Sequence, residues 1–306
     1  LFFINDKIFI YILLKTFIML KRLDERIVYD VLSVPSAYKA EYRMVTYIML
    51  WAIQHGIEYE LDDYGNIYLT KGSVAENEFY PCVTAHLDTV QVPQAFLALE
   101  DKRLEILTRP GKNHHGKFNH NGKTEIYTEK FGLGGDDKAG IVICLSMFEH
   151  VDILKACFFL EEEIGMCGSM NLNKEWFENV GYVIGFDSPE LNRAAYSCFG
   201  VKLMDKDFFH GNQLDMLCES YGVNDFRREP FTDVMAIREL TNIVCMNFGS
   251  GYYNCHQNNE YCVLEEMDAA LDMGISIVKR LGHNRFVLTD KNGHLTDKYF
   301  ENLKKK

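Results

Sequence analysis

Ala156-Cys157-Phe158-Phe159-Leu160-Glu161-Glu162-Glu163 decides the fold, because five apolar residues run without polar alternation straight into three carboxylates. An unbroken apolar run of this length fits a strand buried on both faces, as found inside parallel sheets. Its surroundings alternate. A Gly-rich turn leads into a helix predicted over 138–149, the strand Ala156 to Leu160 follows, and then come a helix over 166–178 and a strand Tyr182 to Phe186. Later the pattern gives a strand near Cys198 to Met204, a helix Thr232 to Leu240, a strand Asn242 to Phe248 and a long helix Leu264 to Leu281. Strands alternating with helices predict an α/β fold, a three-layer α/β/α sandwich with a mostly parallel central sheet. In such sheets reactive groups gather beyond the carboxyl ends of the strands.

Upstream, apolar spacing predicts a helix over 20–34, stopped by Val34-Pro35-Ser36, and a second over 41–55 capped by Gly56. Ile57 to Leu61 and Ile67 to Thr70 read as a hairpin around Asp62-Asp63-Tyr64-Gly65-Asn66. A strand then ends at His86, and short strands Arg103 to Leu107 and Glu125 to Thr128 flank the loop 111–116, whose His114 and His115 read as solvated. The first residues are apolar but interrupted by Asp6, Lys7 and Lys15, too early for a spanning helix; Met19 reads as the initiator, with 1–18 as an upstream or anchor segment. The tail from His283 is polar.

Composition narrows the function. With 306 residues and 47% hydrophobic content the chain can bury a sizeable core. A net charge of -12 disfavours nucleic acid and anionic lipid as partners and suits a cation site. The nine cysteines (82, 144, 157, 167, 198, 218, 245, 255 and 262) show no CxxC pair and read as buried apolar residues of a reducing, cytoplasmic compartment.

Five places end a predicted strand or open a helix with metal-competent side chains: His86 with Asp88, Asp136 with Asp137, Glu161-Glu162-Glu163, Asp187, and His256. The glycines of Gly132-Leu133-Gly134-Gly135-Asp136-Asp137-Lys138 resemble a phosphate cradle, but the GK[ST] ending is missing and the aspartates would repel phosphate. An aspartate at a helix N-terminus keeps its charge and can bridge two cations. Three adjacent glutamates are costly unless cations or protons compensate them. In an extended turn one of them can bind metal while the one before it acts as general base.

The ordered set His86-Leu87-Asp88-Thr89-Val90, Gly134 to Gly140, Glu162-Glu163-Ile164-Gly165, Asp187 and Tyr253-Asn254-Cys255-His256 resembles the di-zinc exopeptidase superfamily. The likeness is greatest to the peptidase T-like (tripeptide aminopeptidase) families and the related zinc aminopeptidase, carboxypeptidase and deacylase families, and the Asp63-Tyr64-Gly65-Asn66 turn matches too. The resemblance implies a zinc exopeptidase-like, phosphorylase/hydrolase-like fold and two divalent metal ions per chain, zinc with cobalt or manganese as alternatives. It implies that His86 and Asp187 hold one ion, Glu163 and His256 the other, and that Asp136 bridges them. Asp88 would orient His86, Glu162 would be the general base, and a cis peptide would join Asp136 to Asp137. The peptidase T-like families insert a lid or dimerisation domain between the positions matching Asp187 and His256, whereas residues 188–255 here number 68. The chain is therefore expected to form one zinc-peptidase-like catalytic domain over 19–284 with a polar tail over 285–306. Tyr252, Tyr253, Arg227 and Arg228 are then the candidates for substrate contacts in place of the lid.

The expected function is a di-zinc metallohydrolase, an aminopeptidase, cleaving small peptides with a metal-bridged water activated by Glu162. An N-acyl amino acid deacylase or carboxypeptidase is the alternative enzyme, and a metal-binding, non-enzymatic peptide-binding protein is the alternative outside catalysis.

Overall fold

A computed structural model of the chain describes residues 22–91, 97, 102–114, 117–229, 231–286, 288 and 300. The expected segment 1–18, His115 and most of the tail lie outside these residues. Helix α1 (Glu25–Ser33) buries Ile27, Val28, Val31 and Leu32 along one face. It starts later than its apolar spacing suggests because the Asp24 carboxylate accepts the Arg26 N–H at 2.8 Å, a side-chain cap. Helix α2 (Tyr42–His55) ends at Gly56, whose φ of 65° is the left-handed C-cap conformation. Strands β1 (Glu58–Leu61) and β2 (Ile67–Lys71) form the expected hairpin. Asp62 Oδ1 sets its turn by accepting the N–H groups of Tyr64, Gly65 and Asn66.

The chain continues with β3 (Tyr80–His86), β4 (Leu107–Pro110), β5 (Asn113–His114), β6 (Phe118–Asn119) and β7 (Thr124–Tyr127). After them come α3 (Gly135–His150), β8 (Leu154–Phe159), α4 (Cys167–Met170), β9 (Val180–Ser188), β10 (Arg193–Cys198) and β11 (Val201–Lys202). The last elements are α5 (Lys206–Gly211), α6 (Leu214–Ser220), β12 (Asp225–Glu229), α7 (Asp233–Thr241), β13 (Val244–Gly249), β14 (Tyr252–Tyr253), β15 (Tyr261–Val263) and α8 (Leu264–Leu281).

The main sheet runs β1-β2-β8-β3-β9-β13-β10-β11, with β12 attached to β10. Its central strands β8, β3, β9 and β13 are parallel, as their unbroken apolar runs predict, and antiparallel pairs flank them on both sides. Alternate residues face opposite layers. Val83, Ala156, Phe158 and Ile184 pack in one core with α1, α3 and α8, while Cys82, Cys157, Phe159 and Val183 pack in another with Trp176, Val234 and Ile237. The three-layer sandwich follows directly. All nine cysteines are free and seven are buried, consistent with their reading as small apolar residues. A smaller sheet, β14-β15-β7-β4, lies against α8, where Glu265 accepts the Thr124 N–H at 2.7 Å.

Four expectations change. The helix expected over 166–178 is reduced to α4 and a 3₁₀ turn at Glu175–Phe177, because the Asn173 side chain accepts the Glu175 N–H and competes with a continuous helix. The strand near Cys198 to Met204 is two strands, β10 and β11, around a Phe199-Gly200 turn with φ of 43° and 87°. The strand placed at Arg103 to Leu107 is β4, which begins at Leu107. Helices α5 and α6 and strand β12 were not expected. No helix among the described residues is long and apolar enough to cross a membrane.

Phe158 is fully buried between β8 and the α3 layer. Phe158→Ala is expected to cost about 3–5 kcal/mol of stability through lost burial and a cavity. A shift in urea denaturation below about 1 kcal/mol would contradict this packing.

Candidate active site

Parallel register assembles the first side chains. Thr84 pairs with Gly185 between β3 and β9, so two residues further on His86 and Asp187 stand side by side, with 3.7 Å between His86 Nε2 and Asp187 Oδ1. Asn247 on β13 fixes the Asp187 backbone, accepting its N–H at 3.0 Å and donating to its carbonyl at 2.8 Å. On the other side His86 pairs with Phe159, so the three glutamates after β8 emerge beside it.

Asp136 comes from the start of α3. Gly134 turns the chain at φ 70°, where a Cβ would meet Thr89 Cγ2 at 2.7 Å, so the position requires glycine. Glu260 holds the turn by accepting the N–H groups of Gly134 at 2.6 Å and Asp136 at 3.1 Å. The Asp136–Asp137 peptide is cis, as the resemblance implied. Asp137 turns inward and accepts the N–H groups of His86 and Gly140 at 3.3 and 3.1 Å.

Asp136 consequently lies between two imidazoles. Its Oδ1 is 3.2 Å from His86 Nε2 and its Oδ2 is 3.1 Å from His256 Nε2. Glu163 Oε1 stands 2.9 Å from His256 Nε2 but lacks hydrogen-bond alignment, as expected of donors converging on a common centre. His256 is 49% exposed, so the cluster opens to solvent there.

The Asp88 contacts refine its expected role. His86 Nδ1 lies 2.9 Å from the Asp88 backbone carbonyl and 3.4 Å from its carboxylate. That carboxylate instead accepts the N–H groups of Glu162 and Glu163 at 2.9 and 3.1 Å. One residue thus orients the histidine through its backbone and fixes the glutamate turn through its side chain.

Burial alone would keep His86 neutral, but the carboxylates of Asp136, Asp187 and Asp88 outweigh it and push its pKa well up. His256 is pushed up to about 10, chiefly by Asp136 and then by Glu163. Burial raises Glu162, Glu163 and Asp187, whereas the two imidazoles overcome burial and depress Asp136. Several buried carboxylates therefore share two imidazoles as their nearest positive charges, and nitrogen and oxygen donors in this ratio fit divalent transition metals.

The substrate candidates are not drawn together. Tyr253 donates to Glu266 and packs with Tyr261; Arg227 pairs with Asp225 and Arg228 donates to Tyr196, both on the β12 edge. Tyr252 is buried in the main core with Asp136 and Asp187 among its nearest charges. Sequence reasoning missed Glu260, and also Asp233, whose carboxyl burial pushes up to about 7 among the charges of His86, Asp187 and Asp88. It missed Arg193, 12% exposed, with Nε unpartnered among the described residues and Cys255 within its electrostatic reach. Neither Asp233 nor Glu260 carries a local signal; each resembles a surface carboxylate until the layers pack. The solvated reading of His114 is also corrected, because it joins His120 and Glu125 in a cluster where the separate β5–β6 hairpin meets β7 of the small sheet.

Glu260→Ala would leave two buried N–H groups unpaired and is expected to cost roughly 2–6 kcal/mol in chemical denaturation. Glu260→Gln retains an acceptor and should cost less than half as much; equal losses would remove Glu260 from this role.

No protein-family model matches the chain, and no curated protein sequence matches it. Solved structures do. Aminopeptidase PepT from Bacillus cereus matches with a TM-score of 0.63 at 15% identity, covering 83% of this chain and 98% of that one. A tripeptidase from Staphylococcus aureus gives 0.63 at 13%, covering 84% and 99%. An aminopeptidase from the archaeon Desulfurococcus kamchatkensis gives 0.57 at 10%, covering 87% and 99%. The chain therefore has the α/β fold of these aminopeptidase and tripeptidase structures.

Proposed function

We propose that the chain is a two-metal hydrolase that removes residues from the free amino end of small peptides. The observation that carries this reading is the Asp136 carboxylate with an imidazole at each oxygen, His86 at 3.2 Å and His256 at 3.1 Å. Pairing His86 with Asp187 and His256 with Glu163 gives two donor sets sharing one carboxylate. The fold shared with solved aminopeptidases and a tripeptidase supports a peptide substrate. Two divalent cations, zinc with cobalt or manganese as alternatives, would supply Lewis-acid polarisation of the scissile carbonyl and acidify the attacking water.

The remaining chemistry belongs to the chain. Glu162, 5% exposed and kept proton-seeking by burial, takes the proton of the attacking water and returns it to the leaving amine. Asp88 holds that glutamate by its backbone. Asp233 and Glu161 add carboxylates suited to a substrate ammonium, and Glu161 is held by the Tyr64 hydroxyl at 2.6 Å. Residues 19–284 form the body of one catalytic domain in this reading, and the polar-tail expectation is corrected at three described positions, because Phe286, Leu288 and the fully buried Phe300 pack into the same core. Free cysteines support a reducing, cytoplasmic setting.

A second reading, deacylase or carboxypeptidase, rests on Arg193, whose guanidinium pairs with Glu190 at 2.9 Å through one terminal nitrogen while its buried Nε, without a partner among the described residues, is suited to a substrate carboxylate. N-blocked and C-blocked peptides separate the two: an aminopeptidase rejects the former and accepts the latter.

Glu162→Gln is expected to lower kcat by about 10²–10⁴ while leaving metal content unchanged. Retained hydrolysis in metal-loaded E162Q protein would refute the mechanism, and metal without turnover in the unaltered chain would favour a non-enzymatic peptide-binding protein. In elemental analysis and chelator competition, His86→Ala should empty one metal position. Asp88→Ala should keep both but weaken them by about 10–100-fold. Complete metal loss in both variants would contradict the division of roles.

A further inference from the structure

The small sheet carries a second cluster of ligand chemistry that shares no residue with the site above. Hairpin β5–β6 brings two histidines onto the fully buried Glu125 of β7. His114 Nε2 lies 2.7 Å and His120 Nδ1 3.7 Å from Glu125 Oε1, and the three donor atoms lie within 4.8 Å of one another.

His120 supplies the independent observation. It is 2% exposed, and its Nδ1 has no hydrogen-bond partner among the described residues. A separation of 3.7 Å from Glu125 is too long for a hydrogen bond, so a proton on Nδ1 does not satisfy the pair. The other ring nitrogen faces Glu266 Oε1 at 3.7 Å, and Glu266 is held by Lys123 at 2.7 Å and the Tyr253 hydroxyl at 2.5 Å. One ring nitrogen aimed into a donor cluster, with the other toward an anchored carboxylate, is the arrangement of a ligating histidine. The rings are also fixed: His114 stacks on Tyr261 at 4.8 Å, and Tyr253 meets the His120 ring at 4.6 Å.

We propose that His114 Nε2, His120 Nδ1 and Glu125 Oε1 form an additional cation site for one divalent transition metal of the zinc type. Tetrahedral zinc sets its donors roughly 3.3 Å apart, and the 2.7 and 3.7 Å separations bracket that value. His114 is the partly exposed member of the cluster, and a cleft lined by Phe118, His120, Tyr253 and Glu266 borders it on the His120 side. Arg109 occupies Glu125 Oε2 at 2.6 Å and the Lys112 N–H reaches Oε1 at 3.2 Å, so the carboxylate offers a single, partly neutralised oxygen. Two imidazoles with one such oxygen do not suit calcium or magnesium, which need many oxygen ligands, and do suit zinc. An ion here fastens β5–β6 to β7 and, through Tyr253, to the strand that leads into the His256 loop.

The test uses the full chain stripped of metal and titrated with Zn²⁺ alone. In the H86A/H256A background, which disables the first site, one Zn²⁺ per chain is expected to bind and to raise Tm. Adding His120→Phe, which preserves an aromatic surface against Tyr253, should abolish both effects. If that variant fails to fold by circular dichroism, His114→Ala at the half-buried rim should weaken Zn²⁺ binding at least 100-fold instead. No Zn²⁺ bound by the background protein, or unchanged binding after either substitution in folded protein, overturns the site. The measurement does not involve peptide hydrolysis, so its outcome is separate from that of the proposed function.

Discussion

The constraint on which the rest of the structure depends is a single buried carboxylate divided between two imidazoles. Asp136 can be charged in a site this deep only because His86 and His256 stand at its two oxygens. Its position depends on Gly134, which makes a turn that a side chain would block, and on Glu260, which accepts the N–H groups on both sides of that turn. These residues come from three places: the end of β3, the start of α3 and the loop between β14 and β15. The carboxylate therefore forms its contacts only when the central helix, the main sheet and the small sheet are all in register.

Asp88 shows how few residues separate the roles within the site. Its backbone carbonyl meets the His86 ring and its side chain holds the glutamate turn. Two parallel strands are thereby tied at their carboxyl ends by one short side chain. The orientation of the histidine and the placement of Glu162 are not independently adjustable, because both depend on the same residue.

Long, strongly patterned elements were legible in the sequence. α8 occupies Leu264–Leu281, the range read from its apolar spacing, and the buried strands β8 and β9 stand out by their lack of alternation. The metal-competent residues were legible because each follows or opens such an element, and parallel strand order gathers His86, Glu162, Glu163 and Asp187 on one edge. What was not legible depends on distant pairing. α5 and α6 are short and of mixed polarity, and Phe208, Phe209 and Leu214 become core only when the chain closes around them. His114, His120 and Glu125 lie close in sequence, but the rings that enclose the two histidines, Tyr253 and Tyr261, come from more than a hundred residues away. Asp233 and Glu260 look like any solvated acid until packing buries them.

The His256 loop belongs to the small sheet, while the other donors of the first site come from the main sheet and the central helix. This division has a consequence for synthesis on the ribosome, which releases the chain from its amino end. A nascent chain that has emerged as far as Asp187 already carries Asp136, Glu162, Glu163 and Asp187 with one imidazole among them. Their mutual repulsion stays uncompensated by the second histidine until a further 69 residues have appeared, from 188 to 256. The donor set thus lacks its second imidazole until β14 and the loop after it have been made.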